Sequence, residues 1–128
     1  MVVAAPTGSG KTIVAEYAVA KALHESGKCF YTTPIKALSN QKFADLVRRH
    51  GEKNVGLLTG DNTVNERAPI VVMTTEVLRN MLYVRSAALD GLRYVVLDEV
   101  HYLQDAYRGA VWEEVVIHLP PEIDLVCL

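Results

Sequence analysis

Short, continuous hydrophobic runs alternate with segments of helical periodicity along this chain. The runs are rich in Val, Ile and Leu and alternate little with polar residues, which is typical of strands buried on both faces of a sheet. They are residues 1–5, 29–33, 55–58, 70–74, 94–98 and 123–128. This pattern predicts six strands, joined by helices, in a mostly parallel sheet.

Helical spacing of apolar residues predicts four helices, at residues 13–27, 39–51, 75–84 and 110–119. Ser39 and Thr75 are predicted to cap the second and third helices at their N-termini, and Gly27 is predicted to end the first as its C′ residue. Pro120 and Pro121 end the fourth. The alternation predicts an α/β fold with helices on both faces of the sheet, in which ligands bind at the carboxyl ends of the strands.

Composition narrows the class of protein. The chain has 128 residues, half of them hydrophobic, and a formal net charge of -2, so it can bury one core and has no overall basic field for nucleic acid. Cys29 and Cys127 lie in apolar stretches, which favours reduced, buried thiols in a cytoplasmic protein. No run is long enough to span a membrane. Because both ends fall within predicted core strands, we expect a domain truncated at both ends, with residues 123–128 as an exposed edge strand that is prone to association.

The segment "APTGSGKT", residues 5–12, follows the first predicted strand and opens the first helix. It fits the P-loop pattern G-x-x-x-x-G-K-[ST], with Ala5 in place of the first glycine. In a P-loop, glycines let backbone N–H groups surround phosphate oxygens, the lysine reaches the β- and γ-phosphates, and the hydroxyl binds Mg²⁺. The alternative is an ordinary Gly/Ser turn. The predicted ATP-binding residues are Pro6, Thr7, Gly8, Ser9, Gly10, Lys11 and Thr12.

A second polar cluster, "DEVH" at residues 98–101, ends the fifth hydrophobic run. We expect the strand that ends in Asp98 to lie beside the strand that leads to the P-loop. Asp98 and Thr12 would then hold Mg²⁺, and Glu99 would orient or deprotonate the attacking water. The alternative is an acidic pair that caps a helix. His101 is either a satisfied polar residue at the edge of the core or a link between the nucleotide site and another element.

Two predicted helix starts could face the phosphates of a single strand of nucleic acid. Pro34 ends the second strand, and Ser39 to Lys42 are expected to open the second helix with free N–H groups and one cation. The segment "TTE" at residues 74–76 is a second helix start of the same kind. From the residues alone, ordinary capping is favoured over contact with nucleic acid.

Over essentially its whole length, the chain resembles the first RecA-like domain of superfamily 2 DExH helicases, especially the superkiller-type RNA helicases and their bacterial HelY-like relatives. The resemblance rests on "APTGSGKT" as motif I, "TTPIKALSNQK" (32–42) as motif Ia, "TGD" (59–61) and "MTTEVLRNM" (73–81) as the Ib region, "DEVH" as motif II, and "DAYRGAVWEE" (105–114).

The resemblance implies a RecA-like P-loop NTPase fold and an ATP-dependent RNA helicase that uses ATP and Mg²⁺. It implies that residues 1–128 are the helicase ATP-binding domain, ending before motif III. A second RecA-like domain of the same chain would supply the arginine finger. The expected partner is single-stranded RNA, with DNA possible, and no membrane. The implied catalytic residues are Glu99, Lys11, Asp98 and His101. The implied nucleic-acid contacts are Pro34, Lys36, Asn40, Gln41, Lys42, Gly60, Thr74, Thr75, Glu76 and Arg108.

Three alternatives to an RNA helicase stay open. A DNA helicase or translocase of the same superfamily is the nearest, because contacts to the phosphate backbone do not read bases. A nucleotide-binding scaffold without hydrolysis is disfavoured because Lys11, Thr12, Asp98 and Glu99 are all present. A P-loop kinase is disfavoured because Glu99 is placed to activate water and no lid over an acceptor is visible in the sequence.

Overall fold

A computed structural model describes residues 2–4, 10–98 and 106–128 and shows a seven-stranded sheet flanked by helices. The strands are β1 (Val2–Ala4), β2 (Lys28–Thr33), β3 (Val55–Leu58), β4 (Thr63–Val64), β5 (Ile70–Thr74), β6 (Leu92–Leu97) and β7 (Asp124–Cys127). The helices are α1 (Gly10–His24), α2 (Lys36–His50), α3 (Thr75–Val84) and α4 (Ala106–His118). The α/β prediction is therefore confirmed, together with all six predicted strands.

The strands follow the order β1-β7-β6-β2-β5-β3-β4. Every neighbouring pair is parallel except β3 and β4. Strand β4 was not predicted, because its two residues are exposed and lie in no hydrophobic run. It adds a short antiparallel edge to a sheet that is otherwise parallel, as mixed α/β sheets often have.

The two faces of the sheet carry separate hydrophobic cores. Helices α1 and α2 cover one face, where Val19 and Leu46 pack with Tyr31 and Val96 of the central strands. Helices α3 and α4 cover the other face, where the buried side chains include Phe30, Val71, Met73, Leu78, Val95, Leu97 and Val115. Successive residues of a strand point to opposite faces, so strands rich in Val, Ile and Leu at every position supply both cores.

Strand β7 lies in the interior of the sheet, between β1 and β6. Val126 is in register with Val3 on one side and with Val96 on the other. The prediction that the strand ending in Asp98 adjoins the P-loop strand is therefore wrong. Leu125 and Val126 of this strand are buried, and a parallel strand whose residues are buried is most stable when it pairs with a neighbour on both edges. The expectation that residues 123–128 form an exposed edge, prone to association, is wrong for the same reason.

Helix α1 ends in a Schellman motif. The Gly27 N–H donates to the Ala22 carbonyl oxygen at 2.9 Å, and the Ser26 N–H donates to that of Leu23 at 3.3 Å. Ser26 occupies the left-handed C′ position, with φ of 56°, so Gly27 is one residue beyond its predicted place. Glycine is favoured at 27 by space, because a Cβ there would lie 3.4 Å from Cβ of Arg93 and closer still to its Cγ.

The predicted N-caps of α2 and α3 are both displaced. Helix α2 begins three residues before Ser39, with extended Ile35 as N-cap and no side-chain cap. Ser39 is instead buried within the helix, and its hydroxyl shares a hydrogen bond of 2.6 Å with that of Thr33. In α3 the cap is Thr74, whose hydroxyl accepts from the Val77 N–H at 3.4 Å.

Gly56 lies in strand β3, beside the last residue of β4 and the residue that follows it. A Cβ at position 56 would overlap the Asn65 carbonyl oxygen and lie 2.8 Å from that of Val64. We expect Gly56→Ala to lower the free energy of unfolding by about 1–3 kcal/mol, the usual cost of overpacking. The matched control is Gly60→Ala, because a Cβ at Gly60 meets no atom within 4 Å. Equal urea midpoints for the two variants would contradict this prediction.

Two further features concern membranes and thiols. In residues 2–4, 10–98 and 106–128, no helix has the length and hydrophobicity needed to cross a membrane.

Cys29 is fully buried in β2, and this burial raises the pKa of its thiol to about 12. Cys127 in β7 is partly buried, which also raises the pKa of its thiol. Both thiols are therefore protonated at neutral pH and poor nucleophiles.

Candidate nucleotide and nucleic-acid site

Polar residues lie together at the carboxyl ends of strands β6, β2 and β5. These three strands are neighbours and parallel, so their carboxyl ends lie side by side. Asp98 follows β6, Pro34 follows β2, and Thr74 is the last residue of β5. The two strands that lead into the predicted nucleic-acid helices therefore end next to the strand that leads into motif II. The sequence predicted ligands at this edge, and the architecture brings these residues together there.

Asp98 is held by both backbone and side chain. Its N–H donates to the Thr32 carbonyl oxygen at 2.9 Å, which extends the β2–β6 pairing by one residue. Its Oδ2 accepts a hydrogen bond of 2.5 Å from the hydroxyl of Tyr31, a buried residue of β2. The side chain is only partly buried, so a carboxylate with lone pairs on two oxygens stands at the surface at the end of a core strand.

A small cleft of about 150 Å³ opens beside Asp98. Its other lining residues come from the end of β2 and from α2, and are Thr33, Leu38, Gln41, Lys42 and Asp45. The Lys42 Nζ lies 4.9 Å from the centroid of the Tyr31 ring, within the usual range of a cation–π contact. Carboxylate oxygens are the protein ligands that Mg²⁺ prefers, usually one or two together with phosphates and water. The donor chemistry at Asp98 therefore fits Mg²⁺.

The other residues predicted for the nucleotide are only partly described. Pro6, Thr7, Gly8 and Ser9 lie outside the described residues, as do Glu99 and His101. Gly10, Lys11 and Thr12 form the start of α1, of which the backbone alone is described. Residues 5–9 thus join the end of β1 to the N-terminus of a 15-residue helix, and that helix end carries the positive pole of its dipole. The roles of these side chains remain predictions.

The start of α2 is tied to the neighbouring strands by buried hydroxyl groups. Thr33 shares a hydrogen bond with Ser39, and the Thr75 hydroxyl donates to the Thr33 carbonyl oxygen at 3.2 Å. Thr32, buried beside them, donates to the Val96 carbonyl oxygen at 3.0 Å. These bonds join β2, α2, α3 and β6 into one unit. Each of these hydroxyl groups is buried, and each has its hydrogen-bond partner inside the protein.

The predicted nucleic-acid residues divide by exposure. Lys36, Asn40, Gln41, Gly60 and Glu76 are exposed, and Pro34, Lys42 and Thr74 are partly buried. Thr75 is buried and its hydroxyl is used inside the protein, so a contact through that hydroxyl is not supported. Arg108 lies in α4, of which only the backbone is described at that position.

The expected N–H groups at residues 39–42 are also displaced, because α2 begins at Lys36. Those residues lie past the first turn of the helix, where N–H groups bond within the helix. The Ser39 N–H donates to the Ile35 carbonyl oxygen at 3.2 Å. The N–H groups that a phosphate could reach are therefore the ones at residues 36–38. Asn40, Gln41 and Lys42 could offer only their side chains.

Lys36 has an intramolecular partner that the sequence did not indicate. Its ammonium group forms an ion pair with Asp61 in the loop between β3 and β4, and the Thr59 hydroxyl also donates to Asp61, at 3.2 Å. The hydrogen bond from Lys36 lowers the pKa of the Asp61 carboxyl below its ordinary value. Both side chains are more than half exposed, so the pair is weak. A phosphate group could take the place of Asp61.

Sequence reasoning missed Tyr31, Asp45 and Asp61 around this site. Tyr31 lies in a hydrophobic run, where the pattern predicts an ordinary core residue. The one signal of a polar partner was its hydroxyl, because a buried tyrosine usually hydrogen-bonds. Asp61 belongs to the "TGD" string, but nothing local linked it to Lys36. Among the residues whose placement is described, no group of three or more His, Cys, Asp and Glu side chains could hold a metal ion.

Comparisons with known proteins agree with this architecture. The family model "DEAD/DEAH box helicase" matches residues 1–128. The chain is 62% identical over 128 residues to a probable helicase HelY of Mycobacterium leprae, covering all of this chain and 14% of that protein. It is 54% identical over 134 residues to the chloroplastic DExH-box ATP-dependent RNA helicase DExH15 of Arabidopsis thaliana, covering all of this chain and 11% of that protein.

A solved structure gives the same result for the fold. The helicase domain of Pyrococcus furiosus Hef matches 98% of this chain and 29% of its own chain, with a TM-score of 0.64 and 27% sequence identity. The fold is thus that of a helicase RecA-like domain, as the resemblance implied. This chain spans about a seventh or less of the curated relatives above. With a family model matched along its whole length, the chain belongs to the DEAD/DEAH box helicase family.

Proposed function

We propose that this chain is the ATP-binding and hydrolysing half of an ATP-dependent helicase that acts on RNA. One observation carries the proposal: Asp98, the candidate Mg²⁺ ligand, lines the same cleft as Gln41 and Lys42, two candidate nucleic-acid contacts. A nucleotide site and a nucleic-acid track that share one cleft can influence each other through direct contact. The name of the Arabidopsis relative, an ATP-dependent RNA helicase, supports RNA as the nucleic acid.

The proposed roles follow the motifs. Residues 6–12 would hold the triphosphate, with Lys11 on the β- and γ-phosphates, and Thr12 and Asp98 would hold Mg²⁺. Bound Mg²⁺ would neutralise charge that develops on the phosphate oxygens. Glu99 would orient the attacking water and take its proton. His101 would connect this site to a neighbouring element. The partner that completes the site would be a second RecA-like domain of the same protein.

The nucleic-acid track would run across the starts of α2 and α3. Lys36 would exchange Asp61 for a phosphate, and the N-terminal N–H groups of α2 would bind another. Exposed Asn40, Gln41, Gly60 and Glu76 would flank this path, and Arg108 would extend it. Contacts of this kind bind the backbone without reading bases, so a DNA helicase or translocase stays the second candidate. Steady-state ATPase of the intact protein with single-stranded RNA or DNA tests the choice: stronger stimulation by DNA would contradict the RNA proposal.

The 128-residue chain alone is expected to hydrolyse ATP very slowly and to respond little to RNA. The physical reason is that the arginine finger, which is worth about 10³–10⁵ in rate, would come from the second domain. Weak RNA binding is expected too, because affinity falls steeply as phosphate contacts are lost. The measurement is ATPase with and without single-stranded RNA, on this chain and on the intact protein. Strong RNA-stimulated turnover by the chain alone would refute the two-domain account.

A further inference from the structure

Tyr31 is a core residue whose polar end reaches the candidate Mg²⁺ site. It is in register with Val96 of β6, and Asp98 follows two residues later. Because side chains alternate along a strand, Tyr31 and Asp98 point to the same face of the sheet. The ring is 1% exposed, and its hydroxyl donates to Oδ2 of Asp98 at 2.5 Å. A hydrogen bond to a charged acceptor is about twice as strong as one between neutral groups.

The ring of Tyr31 is itself held in place. Val19 and Leu46, from α1 and α2, belong to the core cluster that includes it. Lys42 places its ammonium group 4.9 Å from the ring centroid, and this cation is attracted to the π face. A buried aromatic ring has few rotamers, so its hydroxyl occupies a fixed position relative to the backbone of β2. The Asp98 side chain, in contrast, is only partly buried, so packing alone constrains it less.

We propose that Tyr31 is a positioning residue for Asp98, whose hydroxyl fixes the orientation in which the carboxylate meets Mg²⁺. The inference rests on the proposed function, since it takes Asp98 to be a Mg²⁺ ligand. The carboxylate has lone pairs on two oxygens, so a hydrogen bond at Oδ2 is compatible with a metal ligand role. Groups that orient a metal ligand from behind typically change metal affinity or activity by about 10–100-fold when they are removed.

The test compares three variants of the intact protein. Tyr31→Phe removes the hydroxyl and keeps the ring beneath Lys42. Tyr94→Phe is the matched control, because Tyr94 is also a buried sheet tyrosine, near the other end of β6, and its hydroxyl donates to Glu25 at 3.3 Å. Asp98→Asn is the reference for loss of the carboxylate charge. Binding of a fluorescent, non-hydrolysable ATP analogue is titrated against Mg²⁺, and thermal unfolding of each variant is recorded alongside.

Tyr31→Phe is expected to raise the Mg²⁺ concentration for half-maximal binding by about 10-fold or more. Binding without Mg²⁺ should not change, and Tyr94→Phe should match the unmodified protein. If Asp98→Asn shifts this midpoint and Tyr31→Phe does not, the inference is overturned and the proposed function stands. The inference also fails if Tyr31→Phe tightens Mg²⁺ binding, or if Tyr94→Phe shifts the midpoint equally. A midpoint unchanged by Asp98→Asn removes Asp98 as a Mg²⁺ ligand and, with it, both proposals.

Discussion

Replacing Glu99 by Gln is expected to lower ATP turnover by about 10²–10⁴-fold, the usual contribution of general acid–base catalysis. Binding of Mg²⁺ and ATP should be retained. The amide has nearly the shape of the carboxylate but cannot take a proton from water. Asp98, directly before it in the chain, would still serve the metal. The measurements are single-turnover hydrolysis and equilibrium binding of ATP by the intact protein.

Glu52→Gln is the matched control for this change. Glu52 is exposed and lies just before β3. It is therefore near the amino ends of the parallel strands, whereas Asp98 follows the carboxyl end of β6. The same removal of one negative charge there should leave turnover unchanged. A Glu99→Gln protein that loses binding but hydrolyses whatever it binds would show that the roles of Asp98 and Glu99 are exchanged. Equal losses of turnover in both variants would point to net charge as the cause.

Replacing Lys11 by Ala is expected to weaken nucleotide binding and to reduce ATP turnover by about 10²–10³-fold, the effect seen when one preorganised donor to a developing charge is removed. Lys11 is the only side-chain cation in residues 5–12, so its positive charge has no substitute within the loop. The measurements are the dissociation constant for ATP and the steady-state ATPase rate of the intact protein with saturating RNA.

Lys53→Ala gives the control for Lys11→Ala. Lys53 is exposed in the short turn before β3, again at the edge of the sheet away from Asp98. Its removal costs the protein one positive charge without touching residues 5–12. Normal turnover in the Lys11→Ala protein would refute the P-loop assignment. A loss that the two variants share would indicate a general effect of charge on RNA binding, whose salt dependence could be measured directly.

The hydrophobic pattern determined the fold class, the six parallel strands and the presence of helices on both faces. Burial of every residue in a parallel strand leaves a continuous hydrophobic run, which is a local signal. The motif strings were local as well: Asp98 stands at the end of a core strand in the structure, as its place after "YVVL" predicted. The helix starts were less well predicted, because Ser39 and Thr75 are used as buried hydrogen-bonding groups and not as caps.

Only the tertiary structure decided which strands are neighbours and which polar groups meet. The hydrophobic pattern indicates whether a segment is buried, but it is the same for any order of strands. The position of β7 between β1 and β6 could therefore not be predicted from it. The contacts of Tyr31 with Asp98, and of Lys36 with Asp61, join residues 67 and 25 positions apart. Each depends on crossover connections that bring distant strand ends together. The sequence therefore determined the parts of the candidate site, and tertiary packing determined how those parts are held.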